Sequence, residues 1–281
     1  MDSICKSIRV FCYQLKRELL TVRTKLLFLM VGIFIYSNIE PIVNFSKAVN
    51  IKVTPWAFSH LVNDFTCQPV FMIGLIFLLS NAPFRSDTYR YIVARSGKVE
   101  WEIGNLLYIF TMTFLYTSFM FLVSVISLGT RISISSNWGK IWGTLAKTDA
   151  GMQFSVKFII NDFIIGTYKP LLATLYSFIL EWMCFLWLGY LIYLFNLFAK
   201  RAVGVIVAGV FILLDIMIYN SWVESAYLIS PVTLAQLSTF TKGNLKYGLT
   251  LEYAFIFFLT GIMLFIISTL IVANRKDKIY E

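Results

Sequence analysis

The chain has 281 residues, of which 58% are hydrophobic, 17% aromatic and only 14% charged; its mean hydropathy is +0.76 and its net charge +9. A soluble domain is about 45–50% apolar and about 25% charged, so one water-facing core cannot hide these side chains. Six spans of about 20 residues, each crossing about 30 Å of hydrocarbon, would take up nearly half the chain and exclude a sizeable soluble catalytic domain.

Residues 4 to 19 open the chain with a segment of two characters. Ile4, Ile8, Phe11, Leu15 and Leu19 recur at helical spacing, while Lys6, Arg9, Lys16 and Arg17 fall on the other side. Such a helix is expected to lie flat in a membrane interface. The first long apolar run begins only at Leu26, behind six Lys and Arg, and no small-residue cleavage site follows it, so a cleaved signal is not expected.

Charge-poor apolar runs predict six membrane spans, at 26 to 45, 67 to 84, 106 to 129, 171 to 198, 202 to 219 and 254 to 274. Glu40 and Pro41 interrupt the first near its far end, and the second opens with Pro69. With the N-terminus inside, the inner segments hold 15 of the 24 Lys and Arg on 56 residues, and the outer segments hold nine on 96. The positive-inside rule therefore places both termini in the cytoplasm of a multi-pass protein of the cell membrane. In that setting the excess of positive charge calls for no nucleic acid.

The predicted outer segment 130 to 170 is less polar than a plain loop. Trp138, Ile141, Trp142 and Leu145 share one helical face, and Phe158 to Ile165 is apolar apart from Asn161 and Asp162. Interfacial helices packed on the spans are expected there. Tyr227 to Leu237 is apolar, broken by Pro231 and too short to cross, which suits a re-entrant or surface hairpin. No repeat or low-complexity linker divides the chain. It is expected to be one domain, 1 to 281, with an interfacial helix (1 to 25), a six-span bundle (26 to 274) and a cytoplasmic tail (275 to 281).

Several chemistries lack their residues. Neither Gly97-Lys98 nor Gly139-Lys140 is followed by Ser or Thr, so no phosphate-binding loop of the GxxxxGK[ST] type is present. His60 is the sole histidine, which leaves no Ser-His-Asp triad and no His-based metal set. No catalytic residue and no metal ligand is assigned, and His60 is expected to be a packing or surface residue. Cys5, Cys12, Cys67 and Cys184 have no metal-ligand spacing and are read as reduced packing residues.

Three carboxylates fall inside predicted spans: Glu40, Glu181 and Asp215. An ionisable group in hydrocarbon costs at least about 2.5–3.5 kcal/mol on insertion scales. Each is therefore either a pathway or proton-linked group, or a partner in interhelical hydrogen bonds.

The inner loop 85 to 101 mixes Arg85, Arg90, Arg95 and Lys98 with Tyr89, Tyr91, Ile92 and Trp101. That combination suits a docking surface, and equally a positive-inside loop with interfacial aromatics. The run Tyr-Ile-Val-Ala-Arg95-Ser96-Gly97-Lys98-x-x-Trp101, the basic amphipathic start, the six spans and Ser230-Pro231-Val-Thr-Leu together resemble the permease subunits of type-2 ABC exporters. The resemblance implies an all-α membrane protein whose N-terminal helix lies along the inner leaflet. It also implies a cytoplasmic coupling helix between spans 2 and 3, seated on a separate ABC ATPase subunit. It assigns Tyr91, Arg95, Lys98 and Trp101 to that interface, with Trp101 at the membrane edge. A second permease copy or paralogue would complete the pathway, lipid would surround it, and ATP and Mg would be bound by the ATPase, leaving this chain without a cofactor or enzymatic activity of its own. The alternative is an ion-coupled secondary transporter working through the intramembrane carboxylates.

Overall fold

A computed structural model describes residues 2–85, 88–198, 203–240 and 249–275; the expected tail at 276 to 281 lies outside the described residues. The protein is helical, and among the described residues there is no strand, only an isolated bridge between Val53 and Ile132. The first half contains α1 (Asp2–Leu19), α2 (Val22–Ala48), α3 (Ala57–Leu61), α4 (Cys67–Leu79), α5 (Tyr89–Ser96) and α6 (Lys98–Ile126). The second contains α7 (Gly139–Lys147), α8 (Ala150–Gln153), α9 (Asp162–Thr167), α10 (Pro170–Phe198), α11 (Val203–Tyr219), α12 (Pro231–Ala235) and α13 (Leu251–Arg275).

Four of these helices, α2, α6, α10 and α13, are long and apolar enough to cross a bilayer. The chain is thus an all-helical membrane protein. The two other expected spans are shorter: α4 has 13 residues and α11 has 17, which at 1.5 Å per residue gives about 20 and about 25 Å. The second expected span stops being helical at Leu79, not at residue 84. The helix of the third starts early, at Lys98, because Gly97 ends α5 and begins α6 in a single residue. At α2 the helix continues through the buried Pro41 to Ala48.

Helix α10 is the axis of the bundle. It packs against α13, α11, α6, α12 and α4, and 78% of its apolar window is buried, against 39% for α6, 28% for α2 and 22% for α13. Close approach depends on missing side chains. A Cβ on Gly189 would lie 2.8 Å from both Ile109 and Leu79, and one on Gly261 would lie 2.0 Å from the Trp187 indole nitrogen. That indole sits among Phe211, Phe257 and Phe265 at centroid distances of 5.3, 5.7 and 5.0 Å, within the range of favourable aromatic pairing.

The two ends of the bundle are closed differently. At one end α1 lies along the start of α6, where a Cβ on Gly104 would meet Val10 at 2.6 Å. A cap built from α3, α7, α9 and α12 closes the other. The face expected of Trp138, Ile141, Trp142 and Leu145 is buried. Trp142 donates to the Thr54 carbonyl at 3.1 Å and Trp138 to the Tyr168 carbonyl at 2.9 Å. In the hairpin between α11 and α13, Ser230 accepts from the Thr233 amide as the N-cap of α12, with Pro231 at its first position. The Ser-Pro pair thereby has a local explanation, a capped helix start.

Candidate functional site

At about 100° per residue, α1 has three faces where the sequence pattern suggested two. The stripe Ser7, Val10, Gln14 and Glu18 is the buried one and rests on α6. Beside it the expected apolar stripe turns outward: Ile4 is 68% exposed and Ile8 47%, while Phe11, Leu15 and Leu19 are half-buried against the core. Lys6, Arg9 and Lys16 point away from the bundle and are exposed. Within that stripe Gln14 makes the hydrogen-bonded junction to α6, whereas Ser7 and Glu18 are bonded to Ser3 and Arg17 of α1 itself.

That junction extends inward. Gln14 Nε2 donates to Asn105 Oδ1 at 3.0 Å, Asn105 Nδ2 donates to the Tyr193 hydroxyl at 3.0 Å, and Tyr193 donates to the Glu102 carboxylate. All four side chains are buried. A continuous polar chain therefore links the amphipathic α1 to α6 and to the central α10, within a medium where hydrogen bonds weigh more than in water. Sequence reasoning missed Gln14, Asn105 and Glu102. The signal was the spacing of Ser7, Gln14 and Glu18, an interrupted third stripe.

Helix α5 crosses α1 and the start of α6. Its corner is set by Gly97, at φ +100° and ψ 158°, a region open essentially to glycine alone. Tyr91 is 76% exposed, and Arg90 and Arg95 are exposed beside it. Lys98, in the first turn of α6, is half-buried. Trp101 departs from expectation. It is fully buried and meets the Tyr89 ring edge-on at 5.1 Å, so it supports α5 from beneath and presents no surface at the membrane edge. Its position one turn into α6, under the helix that doubles back at Gly97, is the reason.

Of the three carboxylates expected within spans, Glu40 stands apart, whereas Glu181 and Asp215 lie within electrostatic reach of one another. Glu40 is exposed on α2 near its far end. Glu181 is fully buried in α10 and accepts from Gln68 Nε2 at 2.7 Å. Asp215, on α11, accepts from the Thr233 hydroxyl at 2.6 Å and from Gln236 Nε2 at 3.1 Å. Glu181 and Asp215 thus tie helices together through neutral partners, Glu181 to α4 and Asp215 to the α12 hairpin. Among the described residues no group of three His, Cys, Asp or Glu is placed to hold a metal.

His60 is packed away. It is fully buried between Trp138 and Trp142, at ring distances of 5.0 and 5.1 Å, and burial pushes its pKa down to about 3. Asp64, which no sequence pattern singles out, organises the same cap. Its Oδ1 accepts from the amides of Thr66 and Cys67 and from the Thr66 hydroxyl, and its Oδ2 from the Ile159 amide at 2.9 Å. All four cysteines are free; Cys67 and Cys184 are buried as expected, while Cys5 and Cys12 are exposed on α1.

Two apolar grooves are open on the bundle's flank: one between α2 and α6, lined by Phe28, Ile33, Tyr36 and Phe119, and one between α2 and α4. The second measures about 420 Å³ and is lined by Leu27, Met30, Phe34, Ile73 and Phe77, with Arg23 at one end. Comparisons with protein-family models, with curated proteins and with solved structures find no match to this chain.

Proposed function

We propose that this chain is the membrane-spanning subunit of an ATP-driven exporter of the type-2 ABC kind, coupled to a separate ATPase that binds ATP and Mg. The observation that carries this reading is the exposed helix α5, turned back on α6 by Gly97 and seated on α1, with Tyr91 and Arg95 facing outward. Aromatic and Arg side chains on a rigid element are the usual anchors of an interface. A push on α5 would reach the bundle through α1 and the Gln14–Asn105–Tyr193 chain.

In this reading α4 and α11 complete a six-span bundle as its two short members. The termini lie in the cytoplasm of a cell-membrane protein, a placement that the Lys and Arg distribution supports. A second permease, identical or paralogous, closes the pathway. The apolar groove between α2 and α4 suits an amphipathic peptide, a lipid-like molecule or another hydrophobic compound.

The test is co-purification of an ATPase with the tagged chain, followed by reconstitution. Arg95→Glu is expected to lower transport-coupled ATPase activity by tenfold or more while leaving the melting midpoint of the chain unchanged. Repeated recovery without any ATPase, or unchanged activity in Arg95→Glu, would overturn the reading. Ion-coupled transport through Glu181 and Asp215 is the competing possibility. Uptake driven by an ion gradient without ATP, abolished by Glu181→Gln, would establish it instead.

A further inference from the structure

Between α1 and α5 lies a cleft of about 460 Å³, lined by Lys6, Arg9, Val10, Tyr13, Ile92, Arg95 and Ser96. Three cations converge on it from two helices. Among the described residues none of the three has an ion-pair or hydrogen-bond partner; the one salt bridge is between Arg17 and Glu18. Glu100, the carboxylate in the first turn of α6, accepts instead from Ser3 at 3.0 Å. Like charges gathered without a directly paired counter-ion repel one another, and Glu100, the nearby carboxylate, is held by Ser3 and forms no ion pair with them.

The cleft is also held in shape. The Tyr13 and Thr88 hydroxyls share a hydrogen bond at 3.1 Å that ties α1 to the start of α5. At its other end the Gly97 corner fixes where Arg95 and Ser96 stand. Ser96 is buried, with its hydroxyl donating to the Ile92 carbonyl at 2.8 Å. A cleft of this size has room for a phosphate group.

We propose that this cleft binds a phosphate group through Lys6, Arg9 and Arg95. Two arginine forks match phosphate oxygens in pairs, and the lysine adds a point charge. The phosphate is either that of an anionic phospholipid headgroup or that of a soluble phosphate compound. The lipid source is within reach because the exposed Ile4 and Ile8 lie on the same helix and suit a membrane interface. Occupancy would clamp α5 to α1 by neutralising the charge between them. The site shares Arg95 with the proposed ATPase-facing surface but not Lys6 or Arg9, so loss of phosphate binding in Lys6→Gln and Arg9→Gln is read separately from any loss of ATPase coupling.

The full chain in zwitterionic phosphatidylcholine nanodiscs supplies the test. One arm adds phosphatidylglycerol to the discs, with binding followed by native mass spectrometry. The other adds inorganic pyrophosphate, followed by calorimetry. Each cation near such a site contributes about 1 kcal/mol, a factor of about five. Arg95→Gln is therefore expected to weaken binding about fivefold, and Lys6→Gln, Arg9→Gln and Arg95→Gln together to abolish it. Lys140→Gln, on the opposite cap, should change nothing. These side chains are exposed, so the melting midpoint should hold in all variants. Binding in the first arm alone identifies a lipid headgroup, and binding in the second a soluble phosphate. Binding in neither arm, or equal binding by the triple variant, would overturn the proposal.

Discussion

The two ends of the bundle solve the same packing problem in opposite ways. The α1–α5 pad keeps its charges and aromatics on the surface, with Tyr91 and three cations that have no partner among the described residues exposed around a cleft. The cap buries its aromatics and pairs most of its polar groups, so that Trp142, Asp64 and Ser230 each complete a neighbouring backbone. A surface with unsatisfied charge has something to gain from a partner. A cap whose Asp64, Trp138 and Trp142 are already bonded gains less from one, and is suited to hold the far ends of the helices while the pad is contacted or displaced.

Five substitutions or conditions would break or sharpen that contrast, and the largest effect is expected in the cap. Asp64→Ala removes acceptors for two amides around Thr66 and for Ile159. It should lower stability by about 3 kcal/mol, since buried unsatisfied donors carry their full desolvation penalty; thermal unfolding in detergent measures this. Gly104→Leu should follow, at about 1–3 kcal/mol for overpacking, because its side chain would enter the space of Val10. Its distinguishing sign is faster proteolysis within α1 with the remainder of the chain protected. Equal protection throughout would mean that α1 is not seated on α6 as described.

The third is a pH effect, ranked by its size per pH unit. The unfolded chain protonates His60 below about pH 6.5, whereas the folded chain does not until about pH 3. Acidification through that window therefore favours the unfolded state, by about 1.4 kcal/mol per pH unit. Melting midpoints of the native chain should fall with pH more steeply than those of His60→Phe, and parallel profiles would show that His60 is not the buried neutral group. Gln14→Leu comes fourth. Losing one hydrogen bond to Asn105 should cost about 1 kcal/mol, with increased amide exchange in α1 and none in the cap. The smallest effect belongs to Tyr91→Ala, within about 0.5 kcal/mol in stability, yet in the reconstituted complex it should lower coupled ATPase activity several-fold.

Much of the pad is legible in the order of its residues. The amphipathic α1 and the basic aromatic α5 show in the spacing of Ile4 to Leu19 and in the mixture at 85 to 101. Their relation is not legible there, because it rests on Gln14, Glu102 and Asn105, polar residues that along a linear chain look like solvent-facing positions or span ends. Trp101 is misjudged for the same reason: an aromatic beside basic residues reads as interfacial unless a neighbouring helix doubles back over it. In the cap, the Trp138–Leu145 face is legible as a period of 3.6, whereas the role of Asp64 depends on Ile159, 95 positions away.

By itself the sequence determined that this protein belongs in a membrane, which side its cations favour, and which segments are apolar. Those properties are sums over local runs of residues, and transfer from water to hydrocarbon is additive enough to be read that way. Only the tertiary structure decided that α10 is the axis, that Glu181 and Asp215 hold separate helices in place, and that three cations from two helices share one cleft. These depend on close approach at Gly104, Gly189 and Gly261 and on hydrogen bonds between residues far apart in the chain, where the geometry of contact, and no composition, sets the energy.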